Sequence, residues 1–391
     1  MIKNLGEKYS PLYFLASLGN GGMVVTFFIY LTFSIPHKKT PIVIFEQWWA
    51  VFQHAPIWKQ ALIAFALVGI LYYFVNHVRL LVWNIREYRL FKQTKAYTEL
   101  KNSNAEVTLM AIPLTIAMTI NTLFILGAVF VPGLWGIVQY IFPLSLVAFL
   151  LTGYFSLKIF GDYYLRLMTR GGFDFKANNS MAQMTAILSF AMSGVGLAAV
   201  GAMSHNELVY GIAMFGTIFF LVTAMMLAVL QGIQGFNSMM EHGISAEATP
   251  SLWIAIPILT LLGISTIRLY FGSSHHFLDT GHPSFAPLFV VTSMIVAMQI
   301  MSGVMGYKVM KKFNYFEAYI HGDKKSPVSF SLICPGVSAF VFGMFFAFVG
   351  LTHNGIIEPF SIPFWIVVAP YIYIWIKTIL TLRTLTKKML Y

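Results

Sequence analysis

The side chains through which this 391-residue chain could do chemistry are few: ten histidines, a single cysteine and one arginine far from the other basic residues. Five histidines, His37, His205, His275, His276 and His353, stand just after long apolar stretches, and His77 lies inside one. An imidazole titrates near neutrality, so it can draw anions when protonated and ligate a metal when neutral. Their spacing is not that of a hydrolytic metal site, because there is no i, i+4 pair and no H-E-x-x-H. Cys334 alone can form neither an internal disulfide nor a C-x-x-C pair. The Gly19-Asn20-Gly21-Gly22 run resembles a dinucleotide loop only superficially, since it lies within an apolar stretch and follows no strand. Walker A is absent too, and neither a hydrolase nor an ATP-driven pump is expected.

What must position these residues is a set of helices in lipid. The chain is 58% hydrophobic and 10% charged, with a mean hydropathy of +0.74, which would leave a soluble globule with too much apolar surface in water. Its apolar stretches have the length of about twenty residues that a helix needs to cross a bilayer. Ten are expected, at about 11–35, 60–85, 108–131, 135–158, 180–203, 208–233, 250–272, 284–306, 328–352 and 361–382. The first lacks a small-residue cleavage site, so it is read as a span and not a signal peptide. No polar domain, linker or repeat of low complexity interrupts the series, and the chain 1–391 reads as one membrane domain.

The net charge of +11 belongs to topology and not to nucleic acid, because no folded polar domain carries it. If the N-terminus is cytoplasmic, that side receives most of the Lys and Arg, whereas the opposite loops hold only Lys38, Lys39 and Lys59. The positive-inside rule then places both termini in the cytoplasm, in what we expect to be a bacterial inner membrane. Arg79, Lys158 and Lys377 lie near the basic ends of their spans, where long side chains snorkel.

Short outer loops such as Val131-Pro-Gly-Leu-Trp-Gly136 and Ser204-His-Asn-Glu207 make consecutive spans into five helical hairpins. The first, third, fifth, seventh and ninth spans carry helix breakers: Gly19 to Gly22, Pro113, Gly194 with Gly196, Pro257, and Pro335-Gly336. A freed backbone carbonyl is tolerable only against protein or a water-lined cavity, so these spans are expected inside and their partners toward lipid. The fold class is thus an all-α integral membrane protein, with kinked inner helices around a central pore or cavity.

In this topology, in Ser17-Leu-Gly-Asn-Gly-Gly22 and in Ala248-Thr-Pro-Ser-Leu-Trp-Ile-Ala-Ile-Pro257, the chain resembles the TehA-type tellurite-resistance and dicarboxylate transporters, which include the slow anion channels of plants. Cys334-Pro335 is similar to the TsoY branch of selenoproteins and their cysteine forms. The resemblance implies a pore lined around Gly22, Pro113, Gly194, Pro257 and Pro335, and a homotrimer. Channel members close the pore with a phenylalanine in the middle of the fifth helix. Here Met192-Ser193-Gly194 falls at that level, with Phe190 about one turn away as a substitute.

Two functions follow from these readings. In the first, the chain is a pathway for a small anion such as a dicarboxylate or oxyanion, with the guanidinium of Arg268 attracting it. The alternative is a cytochrome on the same fold, passing electrons to a quinone or a small redox protein. Its ligands to a noncovalent haem b would come from His37, His77, His205, His275, His276 and His353. The histidines at span ends also fit two other roles, as interfacial residues and as a pH-sensitive vestibule. The 36 Phe, 19 Tyr and 8 Trp would serve a porphyrin wall or lipid packing equally well.

Overall fold

In the computed structural model, which describes residues 1–37, 40–277 and 283–391, the chain is helical throughout and has no strand among those residues. Lys38, Lys39, Asp279 and His282 lie outside the described residues. Ten helices among the described residues are long and apolar enough to cross a membrane. They are α1 (Pro11–Ser34), α2 (Ile57–Phe91), α3 (Asn104–Phe130), α4 (Leu134–Arg170), α5 (Ala182–Met203), α6 (Glu207–His242), α7 (Ala246–Phe277), α8 (Ala286–Lys312), α9 (Pro327–Thr352) and α10 (Ile362–Leu390). This is the architecture of an integral membrane protein.

Burial separates the ten into two classes. In the odd-numbered helices 89%, 61%, 83%, 50% and 83% of the most apolar stretch is buried, against 28%, 22%, 44%, 28% and 17% in the even-numbered ones. Each odd helix packs against the next odd one, and α9 returns to α1, so the five close a ring. Each even helix packs on the odd helix that precedes it. Glycines permit the closest approaches. A Cβ at Gly336 of α9 would overlap the Thr378 side chain of α10, and one at Gly196 of α5 would overlap the Phe149 ring of α4.

The helix breakers act differently from the sequence reading. Each inner helix starts as a 3-10 segment: Pro11–Tyr13, Asn104–Met110, Ala182–Met184, Ala246–Trp253 and Pro327–Leu332. Pro113, Pro257 and Pro335 are each the third residue of the α-helical part that follows. Proline is tolerated there because a first-turn residue needs no intrahelical N–H partner. The prolines inside α-helical segments, Pro143 and Pro370, are in the outer helices α4 and α10, and Pro250 lies inside the 3-10 start of α7. Serines begin four of the lead-ins: Ser10, Ser103, Ser180 and Ser326 accept from the N–H two residues on, at 3.2–3.3 Å.

The even helices outrun the expected spans at one end, to Phe91, Arg170, His242, Lys312 and Leu390. Hydropathy falls where polar and charged residues accumulate, but Arg, Lys, Leu, Met, Gln and Glu are good helix formers and carry the helix onward. An ion cluster ties one such extension to its neighbour. Glu106 is buried at the start of α3, where its carboxylate accepts from Arg166 Nε of α4 at 2.8 Å and pairs with Lys101. Arg166 also donates to the Ser103 carbonyl at 3.0 Å. The long loop before α2 holds a short helix, Phe45–His54, whose Trp48 donates from Nε1 to the Val129 carbonyl of α3 at 2.8 Å.

Candidate functional site

At the centre of the ring is a cavity of about 160 Å³ to which all five inner helices contribute, with Gly22, Asn121, Met192, Thr260 and Ser338 one from each. Its wall is mostly apolar. The polar exceptions are anchored locally, because Asn121 donates to the Ala117 carbonyl at 3.2 Å and lies 3.7 Å from the Met192 sulfur. Thr260 donates to the Ser338 carbonyl at 3.2 Å and accepts from Gln299 Nε2 of α8 at 2.7 Å.

Among the described residues, Arg268 is the only charged one in this wall. It stands about 13 Å before the end of α7 at about 1.5 Å per residue, more than two turns inside the helix. Its Nη1 donates to the carbonyl of Val195, in the body of α5, at 2.8 Å. Among the described residues no carboxylate pairs with it. A guanidinium has five N–H donors, and the Val195 carbonyl satisfies one of them.

A second cavity of about 110 Å³ lies among the 3-10 lead-ins. Leu12, Thr108, Ala182, Ser251 and Ser331 line it, one from each inner helix. It shares Leu188, Pro257 and Cys334 with the central cavity. Those three side chains, from α5, α7 and α9, are therefore the partition between the two spaces. Among the described residues no charged one lines the second cavity, but the N-terminal ends of five helices surround it, and such ends carry partial positive charge.

The other sequence candidates divide. Gly22, Pro257 and Arg268 line the central cavity, whereas Pro113, Phe190, Ser193, Gly194 and Pro335 are outside its wall. Phe190 turns outward, edge-on to Phe160 of α4 at 5.3 Å and stacked on Phe220 of α6 at 6.1 Å. Ser193 donates to its own helix at Ser189, and Gly194 abuts Phe220 and Thr217 of α6. At the level where a phenylalanine was expected, the residue that faces the cavity is Met192.

Three of the histidines are close neighbours. His205, His275 and His276 gather where α5 and α7 end, with centroids 6.3 Å apart between the first two and 5.3 Å between the last two. His276 stacks on Tyr210 at 3.8 Å and donates from Nε2 to the Ser204 carbonyl at 3.2 Å. His37 and His353 each return Nδ1 to a nearby carbonyl, those of Ile35 and Phe348, at 2.8 and 2.7 Å. His77 is buried between helices, donating from Nδ1 to the Ser17 carbonyl at 2.8 Å, with Nε2 2.9 Å from Thr119 Oγ1. Ligation of haem through Nε2 of His77 would cost the Thr119 contact and keep the one to Ser17, and among the described residues none of the six lines the central cavity. Among the described residues no group of three or more His, Cys, Asp or Glu is arranged to hold a metal ion.

Sequence reasoning missed the serine-led 3-10 starts, whose signal is the recurrence of Ser before each inner helix, and the Ala-Ile-Pro that opens the α-helical parts of both α3 and α7. It also missed Leu188, which nothing in an apolar helix distinguishes. No protein-family model, curated protein or solved structure matches the chain.

Proposed function

We propose that the chain conducts small anions across a membrane, along a path through the central cavity, past Leu188, Pro257 and Cys334, and into the second cavity. The observation that carries this reading is Arg268, a half-buried cation that pairs with no carboxylate among the described residues, in a mostly apolar wall. A desolvated charge is costly unless something of opposite sign meets it, and a small anion entering the cavity supplies that charge. The five helix N-termini beyond the partition favour the same sign. Five hairpins around a pore, as in the TehA-type proteins, and both termini on the cytoplasmic side complete the proposal. The cavity volume suits a small anion with few waters, such as a dicarboxylate or an oxyanion.

The experiment is reconstitution into liposomes under a gradient of potassium chloride, nitrate or succinate. Anion-selective flux sets the sign of the resulting potential and supports the reading. A potential set by potassium, or flux no greater than in empty liposomes for all three salts, overturns it.

A further inference from the structure

On the outside of the bundle, α2 and α10 enclose a groove of about 470 Å³. Three basic residues line it, Arg79 from α2 and Arg383 and Lys387 from α10, with Tyr72, Tyr73 and Asn76 beside them. No acidic side chain is in the lining, and among the described residues none of the three cations pairs with a carboxylate. Glu87, two turns beyond Arg79, is buried and occupied, accepting from the Asn4 and Leu5 amides at 3.1 and 2.8 Å. Met1 and Tyr391, whose terminal charges are opposite, also line it, so the three cations leave the groove net positive.

Depth and surroundings say what fills it. Arg79 and Arg383 each stand about 32 Å from the first residues of their helices, Ile57 and Ile362, at about 1.5 Å per residue. That is close to the thickness of the hydrocarbon core, about 30 Å, so both guanidinium groups reach the same headgroup level. The adjoining faces are apolar and exposed, with Val68 and Val75 on α2 and Tyr373, Ile376 and Leu380 on α10. A ligand here meets cations and tyrosines at one end and acyl-compatible surface at the other. A free anion would use only the first.

We infer that this groove binds the phosphodiester headgroup of an anionic phospholipid, with Arg79, Arg383 and Lys387 as its contacts and the acyl chains along α2 and α10. Asn20 of α1 lines the inner wall, next to Gly19 and Gly22 of the central cavity, so the lipid lies one helix away from the proposed path. The inference does not depend on what that path carries.

Native mass spectrometry of the detergent-purified full chain with phosphatidylglycerol, cardiolipin or phosphatidylcholine tests it. The two anionic lipids are expected to bind in preference to phosphatidylcholine. The triple variant Arg79→Gln/Arg383→Gln/Lys387→Gln is expected to lose about a hundredfold in affinity for them, at about fivefold per basic contact. If that variant does not elute as a folded species, Arg383→Gln alone is expected to lose about fivefold. Equal binding of all three lipids, unchanged anionic-lipid binding in the variants, or displacement of phosphatidylglycerol by equimolar inorganic phosphate would overturn the lipid site.

Discussion

Arg268 of α7 donates to the Val195 carbonyl of α5 at 2.8 Å, joining two inner helices across the wall of the central cavity. One neutral carbonyl does not balance a half-buried cation in a mostly apolar wall, so this residue is costly to the fold. Arg268→Met keeps the stem and removes the charge. It is expected to leave the unfolding temperature in detergent unchanged or higher. A marked fall would mean that the arginine is held for stability.

The buried ion cluster predicts the opposite. Glu106 is 1% exposed between Lys101 and Arg166, and Glu106→Gln leaves Arg166 facing a neutral amide. A loss of about 2 kcal/mol or more is expected, since breaking a buried pair strands the remaining charge. The exposed Glu99→Gln is the control, and equal unfolding temperatures for the two variants would contradict the network's role.

How much of this was legible in the sequence depended on how loudly each feature departs from an apolar background. The ten spans were readable from length and hydropathy, and the alternation of inner and outer helices from where Gly and Pro recur. Which face of an inner helix meets the cavity was not. A helix buried on all sides is apolar all round and has no stripe to read, so nothing distinguished Met192, which lines the cavity, from Phe190, which turns away. Arg268 was visible because a charge inside a span is rare. Its partner, Val195, was not visible, because a backbone carbonyl leaves no trace in residue type. The histidines follow the ends of helices, but the packing of Tyr210 and Phe285 against His276 and His353 decided which of them gather.

The partition at Leu188, Pro257 and Cys334 predicts a chemical block. The chain has one cysteine, so an anionic methanethiosulfonate can label only Cys334. The mixed disulfide places a sulfonate between the two cavities, and anion flux is expected to fall in the wild type and not in Cys334→Ser. Complete labelling with unchanged flux would put the path elsewhere.

Close packing of α9 on α10 yields a stability prediction. Gly336→Ala forces a methyl onto Thr378 and is expected to cost about 1–3 kcal/mol. Thr378→Ala in the same background is expected to recover part of that loss, read as a coupling between the two sites in unfolding temperature. Strictly additive effects would argue against the contact.

The central claim is that the cation in the cavity wall draws the anion in. Its most direct test is anion flux into liposomes containing equal amounts of folded wild type, Arg268→Lys and Arg268→Gln. Flux is expected to fall by about tenfold or more in Arg268→Gln, the loss of one charge-assisted contact, and to be partly retained in Arg268→Lys. Equal flux through all three proteins would contradict the account.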